Sequence, residues 1–270
     1  MVILYPLKEF RFPIIAECIT PDAFEGKTAN EIEDLNVWEG NRQKTLGQLF
    51  KVADDKTENS RITLCGNMAK IRRIGASMTK GEIVVKGNAG MHLGEEMKGG
   101  KIAVYGNVGD WAGSMMKGGE IEIHGNVGNY SGAPYRGSKL GMQGGKIIVH
   151  GNVGNEAGAQ MKGGMIKIYG NAGQFVGFRM RDGAIYVQKD CAGRAGACMV
   201  GGKIFVGGML ESVLPTFTID GTKAKVKVEE GETVRGPLYV FLGDIAENGD
   251  GKLYVSKARN SHLGYYEKFL

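Results

Sequence analysis

MKGGKIAVYG (Met97–Gly106) is followed 19 residues later by MKGGEIEIHG (Met116–Gly125), the same frame with only four positions changed. Methionine, glycine at +3, a β-branched residue at +5 and +7, and glycine at +9 recur from Met78, Met97, Met116, Met142, Met161, Met180 and Met199. The step is 19 residues throughout except one of 26, and only the copy from Met180 loses its last glycine, to Lys189. A fixed period near twenty marks a solenoid, whose coils cannot bury their own apolar faces and must stack on neighbours.

The period also selects the kind of solenoid. Runs such as Ile102-Ala103-Val104-Tyr105 and Ile166-Lys167-Ile168-Tyr169 alternate as strands do. The rest of each coil is crowded with glycine and too short for a three-turn helix. The leucine framework of a leucine-rich repeat is missing. The expected fold is all-β: a right-handed parallel β-helix of seven to eight coils, stacked at roughly 4.8 Å. A weaker eighth coil, Ile62, Leu64, Gly66, Asn67, precedes the first full one.

Each repeated residue then has a job. Ile and Val at +5 and +7 point inward and methionine fills an irregular corner. The glycines supply positive φ at corners and let backbones approach. Gly-Asn closes the strand at Gly87-Asn88, Gly106-Asn107, Gly125-Asn126, Gly151-Asn152 and Gly170-Asn171, which predicts asparagines bonded amide to amide along the rod.

The chain divides into an N-terminal cover (1–59), the coils (60–208) and a C-terminal cover (209–270), because bare solenoid ends expose core and unpaired strand groups. In the first, Val2–Pro6 and Phe10–Ile15 read as strands, and Thr28-Ala29-Asn30-Glu31 as a helix start. In the last, Leu238–Leu242 and Leu253–Val255 read as strands. Asp244–Asp250 lacks the ligands of a calcium loop and reads as a turn.

Composition narrows the function. A net charge of +5, from 34 Lys plus Arg against 29 Asp plus Glu, is too mild for nucleic acid. There is no apolar run of membrane length and no signal peptide, so a cytoplasmic protein is expected. Cys18, Cys65, Cys191 and Cys198 form no metal-binding pair and are expected to be reduced and buried. The glycine turns lack phosphate-cradling spacing and recur coil after coil. No nucleophile elbow or metal-helix motif occurs, and Glu95-Glu96 and Glu229-Glu230 fall in turns. The expectation is no catalytic, cofactor-binding or metal-ligating residue in this chain, no nucleic acid or membrane partner, and no directly bound small substrate.

The outside of the rod carries more. Just before the Gly-Asn corner the outward position reads Lys86, Tyr105, His124, His150, Tyr169, Gln188. Past the next glycine a second column reads His92, Trp111, Tyr130, Glu156, Phe175. Rings stacked on a rigid surface are what interface centres favour, so Tyr105, His124, His150, Tyr169, Trp111, Tyr130 and Phe175 are candidate partner contacts. Stacking along the ladder alone is the competing explanation. The long step places seven extra residues within Ala133–Leu140, an ejected loop that adds Tyr135 and Arg136 to the candidates. Lys98, Lys117, Lys162 and Arg181 form a basic edge.

The seven 13-residue cores from Gly75–Gly87 to Gly196–Gly208, the Tyr5-Pro6-Leu7 start and the Gly-Asn-x-Gly-x-x-x-Gly turns resemble the C subunit of formylmethanofuran dehydrogenase over nearly the whole chain. The repeat is also similar to the C-terminal β-helix of the glutamate synthase large chain and to the C subunit of the formyltransferase/hydrolase complex. The resemblance implies a structural member of the complex that, in methanogenic archaea, reduces CO2 and forms formylmethanofuran. It implies that the tungsto- or molybdopterin, iron–sulfur clusters and binuclear metal site belong to other subunits, the partners of this one. A stand-alone enzyme with a groove along the coils would need clustered acids; Glu82, Lys101, Glu120 and Lys146 alternate in sign instead.

Overall fold

The computed structural model describes residues 1–54, 60–229 and 232–270. Residues 55–59, at the edge of the expected N-terminal cover, and Glu230 of the Glu229-Glu230 pair lie outside the described residues. The chain is mostly β, with one large mixed sheet, a four-stranded sheet and two short α-helices among the described residues.

The repeats build the middle of the large sheet. Arg61–Cys65, Glu82–Lys86, Lys101–Val104, Glu120–Ile123, Lys146–Val149, Lys162–Ile168, Asp182–Val187 and Lys203–Val206 pair in parallel, each with the strand one repeat on. Register holds across the long step: Glu120 faces Lys146 as it faces Lys101 on the other side. One row therefore runs Ile83, Ile102, Ile121, Ile147, Ile166, Ile185, Ile204, each fully buried. Removing such a side chain from water stabilises by about 1.5–3 kcal/mol. The repeat methionines are equally buried against this row.

A second parallel ladder of single bridges joins Met68, Ala89, Val108, Val127, Val153, Ala172, Cys191 and Leu210. Each repeat thus pairs with its neighbours at two places along its path, and one apolar core runs between them. The alternating charges of the strand starts pair across register, with Arg61 3.2 Å from Glu82 and Lys101 2.9 Å from Glu120.

The ends extend the same sheet. Val2–Pro6 pairs parallel with Arg61–Cys65 and antiparallel with Phe50–Asp54. Gly251–Ser256, distant in sequence, adds a parallel strand beside Lys203–Val206, and Glu232–Gly243 and Thr218–Glu229 follow antiparallel. That hairpin also lays Val226, Val228 and Val234 against Met165, Ala184 and Phe205 on the sheet's outer side. The Phe10–Ile15 run yields strand only at Ile14–Ile15, paired with Ile71–Arg72. The helix start at Thr28 is real: Ala29–Glu33 carries a full capping box with Glu31. Asp244–Asp250 is a turn around a short 3-10 segment, Ile245–Glu247.

Two corner expectations need correction. The corner asparagines do not bond amide to amide. Each Oδ1 accepts the backbone N–H of the next corner residue: Asn107 on Asn88, Asn126 on Asn107, Asn152 on Asn126 and Asn171 on Asn152, all at 2.8 Å. A backbone donor is nearer than a second amide because successive coils are in register. Nor does Gly125 have a positive φ. A Cβ there would sit 2.5 Å from Gly106 O and Asn107 Oδ1, so glycine is required by the close approach of coils.

Candidate docking faces and the ring columns

The strand register lines up the outward residues. Just past the strands, Tyr105, His124, His150 and Tyr169 form one continuous stack, with centroids 4.7, 4.8 and 5.3 Å apart and planes within 20° of parallel. The spacing is that of the strands beneath, so the backbone sets the stack. Tyr105 is 61% exposed, a large apolar surface facing water. Beside it, His150 Nε2 donates to Glu122 Oε1 at 3.1 Å and Lys101 Nζ lies 3.5 Å from Glu122 Oε2. The His150 hydrogen bond first, and Lys101 after it, hold the Glu122 carboxyl below its usual range despite partial burial.

The second column is built differently. His92, Trp111, Tyr130, Glu156 and Phe175 all have φ between 59° and 66°. This left-handed region is costly for ring residues, about 1–2 kcal/mol each. It is held by backbone bonds between coils, Trp111 N to Asn129 O at 2.9 Å and Tyr130 N to Asn155 O at 2.8 Å. A second side-chain ladder supports it: Asp110 Oδ1 accepts Asn129 N, Asn129 Oδ1 accepts Asn155 N, and Asn155 Oδ1 accepts Gln174 N. No repeat pattern in the sequence flagged this ladder, since its members alternate between Asp, Asn and Gln.

His92, Trp111 and Tyr130 stack at 5.2 and 4.7 Å, and Tyr135 from the ejected loop leans over them, 5.6 Å from His92. Phe175 stands apart, meeting Phe178 edge-on under Arg194. Arg136 is exposed on the loop and shares a depression with Trp111, Tyr130 and Tyr135. Beneath the column Glu95 is buried, with Arg73 Nε 2.9 Å away and His92 Nδ1 at 3.6 Å. Burial alone would push its carboxyl up; the imidazole and guanidinium override this and hold it below its usual range.

The loop leaves the coil where expected. Gly132 N still bonds Ala112 O and Met142 N bonds Gly132 O, so the extra residues are looped out. Gly137 has φ 93°, and a Cβ added there would meet nothing within 4 Å. The Lys98, Lys117, Lys162, Arg181 edge is exposed.

The four cysteines are free, but only Cys191 is buried; the others are half-buried, Cys18 in the N-terminal segment, Cys65 at the end of its strand and Cys198 in a turn. Burial pushes the Cys191 thiol up to about 12, and burial, aided by Glu17, takes Cys18 to about 11. Such thiols stay protonated at neutral pH. Among the described residues, the donors that come within reach of one another are Glu122, His124 and His150. Three donors can serve one ion, not the pair of a binuclear centre. Sequence reading put His124 and His150 side by side in one column but missed Glu122, which belongs to a neighbouring outward position of the strand.

These features define a class: a repeat-built β protein with ordered rings on its outside. No family model matches the sequence. The C subunit of tungsten-containing formylmethanofuran dehydrogenase 2 from Methanococcus maripaludis is 48% identical over 257 residues, covering 93% of this chain and 94% of that one. The chain belongs to the family of formylmethanofuran dehydrogenase C subunits. The C subunit of molybdenum-containing formylmethanofuran dehydrogenase 1 from Methanothermobacter marburgensis is 42% identical over 92 residues, a stretch spanning 34% of this chain and only 23% of that relative. Among solved structures, a chain of the formyltransferase/hydrolase complex (FhcABCD) from Methylorubrum extorquens, crystallised with methylofuran, superposes with a TM-score of 0.85 at 29% identity. It covers 94% of this chain and 99% of that one. No helix among the described residues is long and apolar enough to cross a membrane.

Proposed function

We propose that this chain is a structural, non-catalytic subunit of a formylmethanofuran dehydrogenase complex, which reduces CO2 and forms formylmethanofuran in the cytoplasm. The observation that carries this reading is the end-to-end match to the C subunit of a tungsten-containing enzyme. Its fold is read as a right-handed parallel β-helix (60–208) with covers at 1–59 and 209–270. In-register parallel pairing at two places per repeat supports that reading. The tungsto- or molybdopterin, iron–sulfur clusters and binuclear metal site are assigned to other subunits, as the family resemblance implies. The partners dock on the ring columns, through Tyr105, His124, His150 and Tyr169 on one face and Trp111, Tyr130, Phe175, Tyr135 and Arg136 on the other. Exposed stacked rings, and rings held at unfavourable φ, support that assignment.

A second reading, membership of a formyltransferase/hydrolase complex, is favoured by the likeness to the FhcABCD chain. Affinity purification of the native chain with metal analysis separates the two. Co-purifying iron and tungsten or molybdenum is the expected result. Formyltransferase activity without a metallopterin supports the second reading, and a chain recovered alone refutes both.

A further inference from the structure

The middle of the exposed stack combines two imidazoles with a carboxylate. The donor atoms of Glu122, His124 and His150 lie within 4.8 Å of one another. From this juxtaposition we propose that Glu122, His124 and His150 form a binding site for one first-row divalent metal ion of the zinc class.

The argument starts from the backbone. His124 N bonds Val104 O at 2.9 Å and His150 N bonds Ile123 O at 2.8 Å, so both residues are tied to the preceding coil. Glu122 sits mid-strand, two residues before His124, and points the same way. The three side chains therefore leave a rigid surface from fixed points. A tetrahedral zinc site with ligand bonds of about 2.0–2.1 Å needs donors about 3.3 Å apart. His150 Nε2 and Glu122 Oε1, at 3.1 Å, already meet that spacing. The His124 donor lies within 4.8 Å of the other two, so a change in its side-chain torsions is what would close the remaining gap.

The chemistry of the set selects the ion. Imidazole suits zinc and its neighbours, whereas calcium and magnesium want oxygen alone. Two histidines and one carboxylate leave a fourth position open, and here it faces outward. The hydrogen now shared between His150 and Glu122 is the one a metal would replace. Lys101, which neutralises Glu122 when no metal is bound, has Glu120 at 2.9 Å to fall back on. Tyr105 and Tyr169 flank the two imidazoles in the stack. This site does not rest on the docking assignment, since it needs only this chain.

The test uses the full chain, stripped with a chelator and dialysed. Zinc is titrated by calorimetry, and cobalt(II) by its visible absorption. One zinc per chain is expected, bound in preference to magnesium or calcium, with a tetrahedral cobalt spectrum. His124→Ala and His150→Ala should each weaken zinc by at least about tenfold, a loss that even an outer-shell change can bring. Glu122→Gln should weaken it too, and circular dichroism should be unchanged in all three because the side chains face outward. Absence of saturable binding by the unmodified chain would overturn the proposal. So would full binding by the His124→Ala/His150→Ala double variant, which would place the metal on the thiols, or a preference for magnesium or calcium.

Discussion

Gly125→Ala tests whether close contact between coils, rather than turn conformation, demands the corner glycines. The added methyl would lie 2.5 Å from both Gly106 O and Asn107 Oδ1. The Asn107 side chain can swing away, but it then gives up the Asn126 N–H it accepts at 2.8 Å, worth about 1 kcal/mol. Gly106 O is backbone and can retreat only if the two coils part. Forcing one carbon into a filled space costs about 1–3 kcal/mol. The sum is a loss of about 2–4 kcal/mol. Gly137→Ala is the control. It has φ 93° but open space around it, so it carries only a left-handed penalty of about 1–2 kcal/mol, confined to the loop. Urea unfolding followed by circular dichroism should show a clearly lower midpoint for Gly125→Ala. Equal midpoints, or a lower one for Gly137→Ala, would refute the close-approach argument.

Ile121→Ala should cost about 2–5 kcal/mol, since the side chain is fully buried in the inner row, whereas Ile148→Ala on the outer side should cost clearly less in the same urea assay. Replacing Tyr105, His124 and Tyr169 together by serine should leave the circular dichroism of the chain intact but reduce recovery of partner subunits in a pull-down; normal recovery would leave the column as stacking alone. The same comparison for Trp111, Tyr130 and Phe175 reports on the other face. Glu95 adds a pH signature. Its carboxyl is depressed in the fold, so its contribution is full above the ordinary carboxylate range and is lost as pH falls through the depressed value. Glu95→Gln should therefore lower stability at neutral pH and narrow the gap to wild type in acid.

The strands, the inner row and the ejected loop could be read from residues alone, because a period of 19 with alternation inside it admits few other arrangements. The capping box at Thr28 was equally plain, since both partners lie within four residues. What escaped reading depended on distances between coils. Glycine at Gly125 looks the same whether it supplies a turn or a close approach, and only the neighbouring coil decides. The left-handed Trp111 and Tyr130 were invisible for a related reason: rings occupy a conformation that sequence rules reserve for glycine and asparagine. Gly251–Ser256 joining the parallel stack beside Lys203–Val206, past a long antiparallel hairpin, was also hidden, because nothing local specifies so distant a pairing.

Repetition itself locates the functional information. A position that stays Ile or Val in every repeat answers to the core, and a corner that stays Gly-Asn answers to the ladder; neither distinguishes one surface of the protein from another. Recognition has to come from residues that the stacking leaves free to vary. The proposed docking puts it at outward positions where Lys86 gives way to Tyr105, His124, His150 and Tyr169, in the turn column that holds rings despite its φ, and in the loop that interrupts the period. The long step is the point at which these departures meet. The stack passes from His124 to His150 across it without a break on one side, and Tyr135 is sent over His92 and Trp111 on another. The insertion thus reshapes the second surface and leaves the first, like the register of Glu120 on Lys146, undisturbed. Deleting residues 134–140 should accordingly keep the stack of strands while uncovering the second column. Loss of partner binding by that variant with column one intact would place the principal contact on the loop side of the protein.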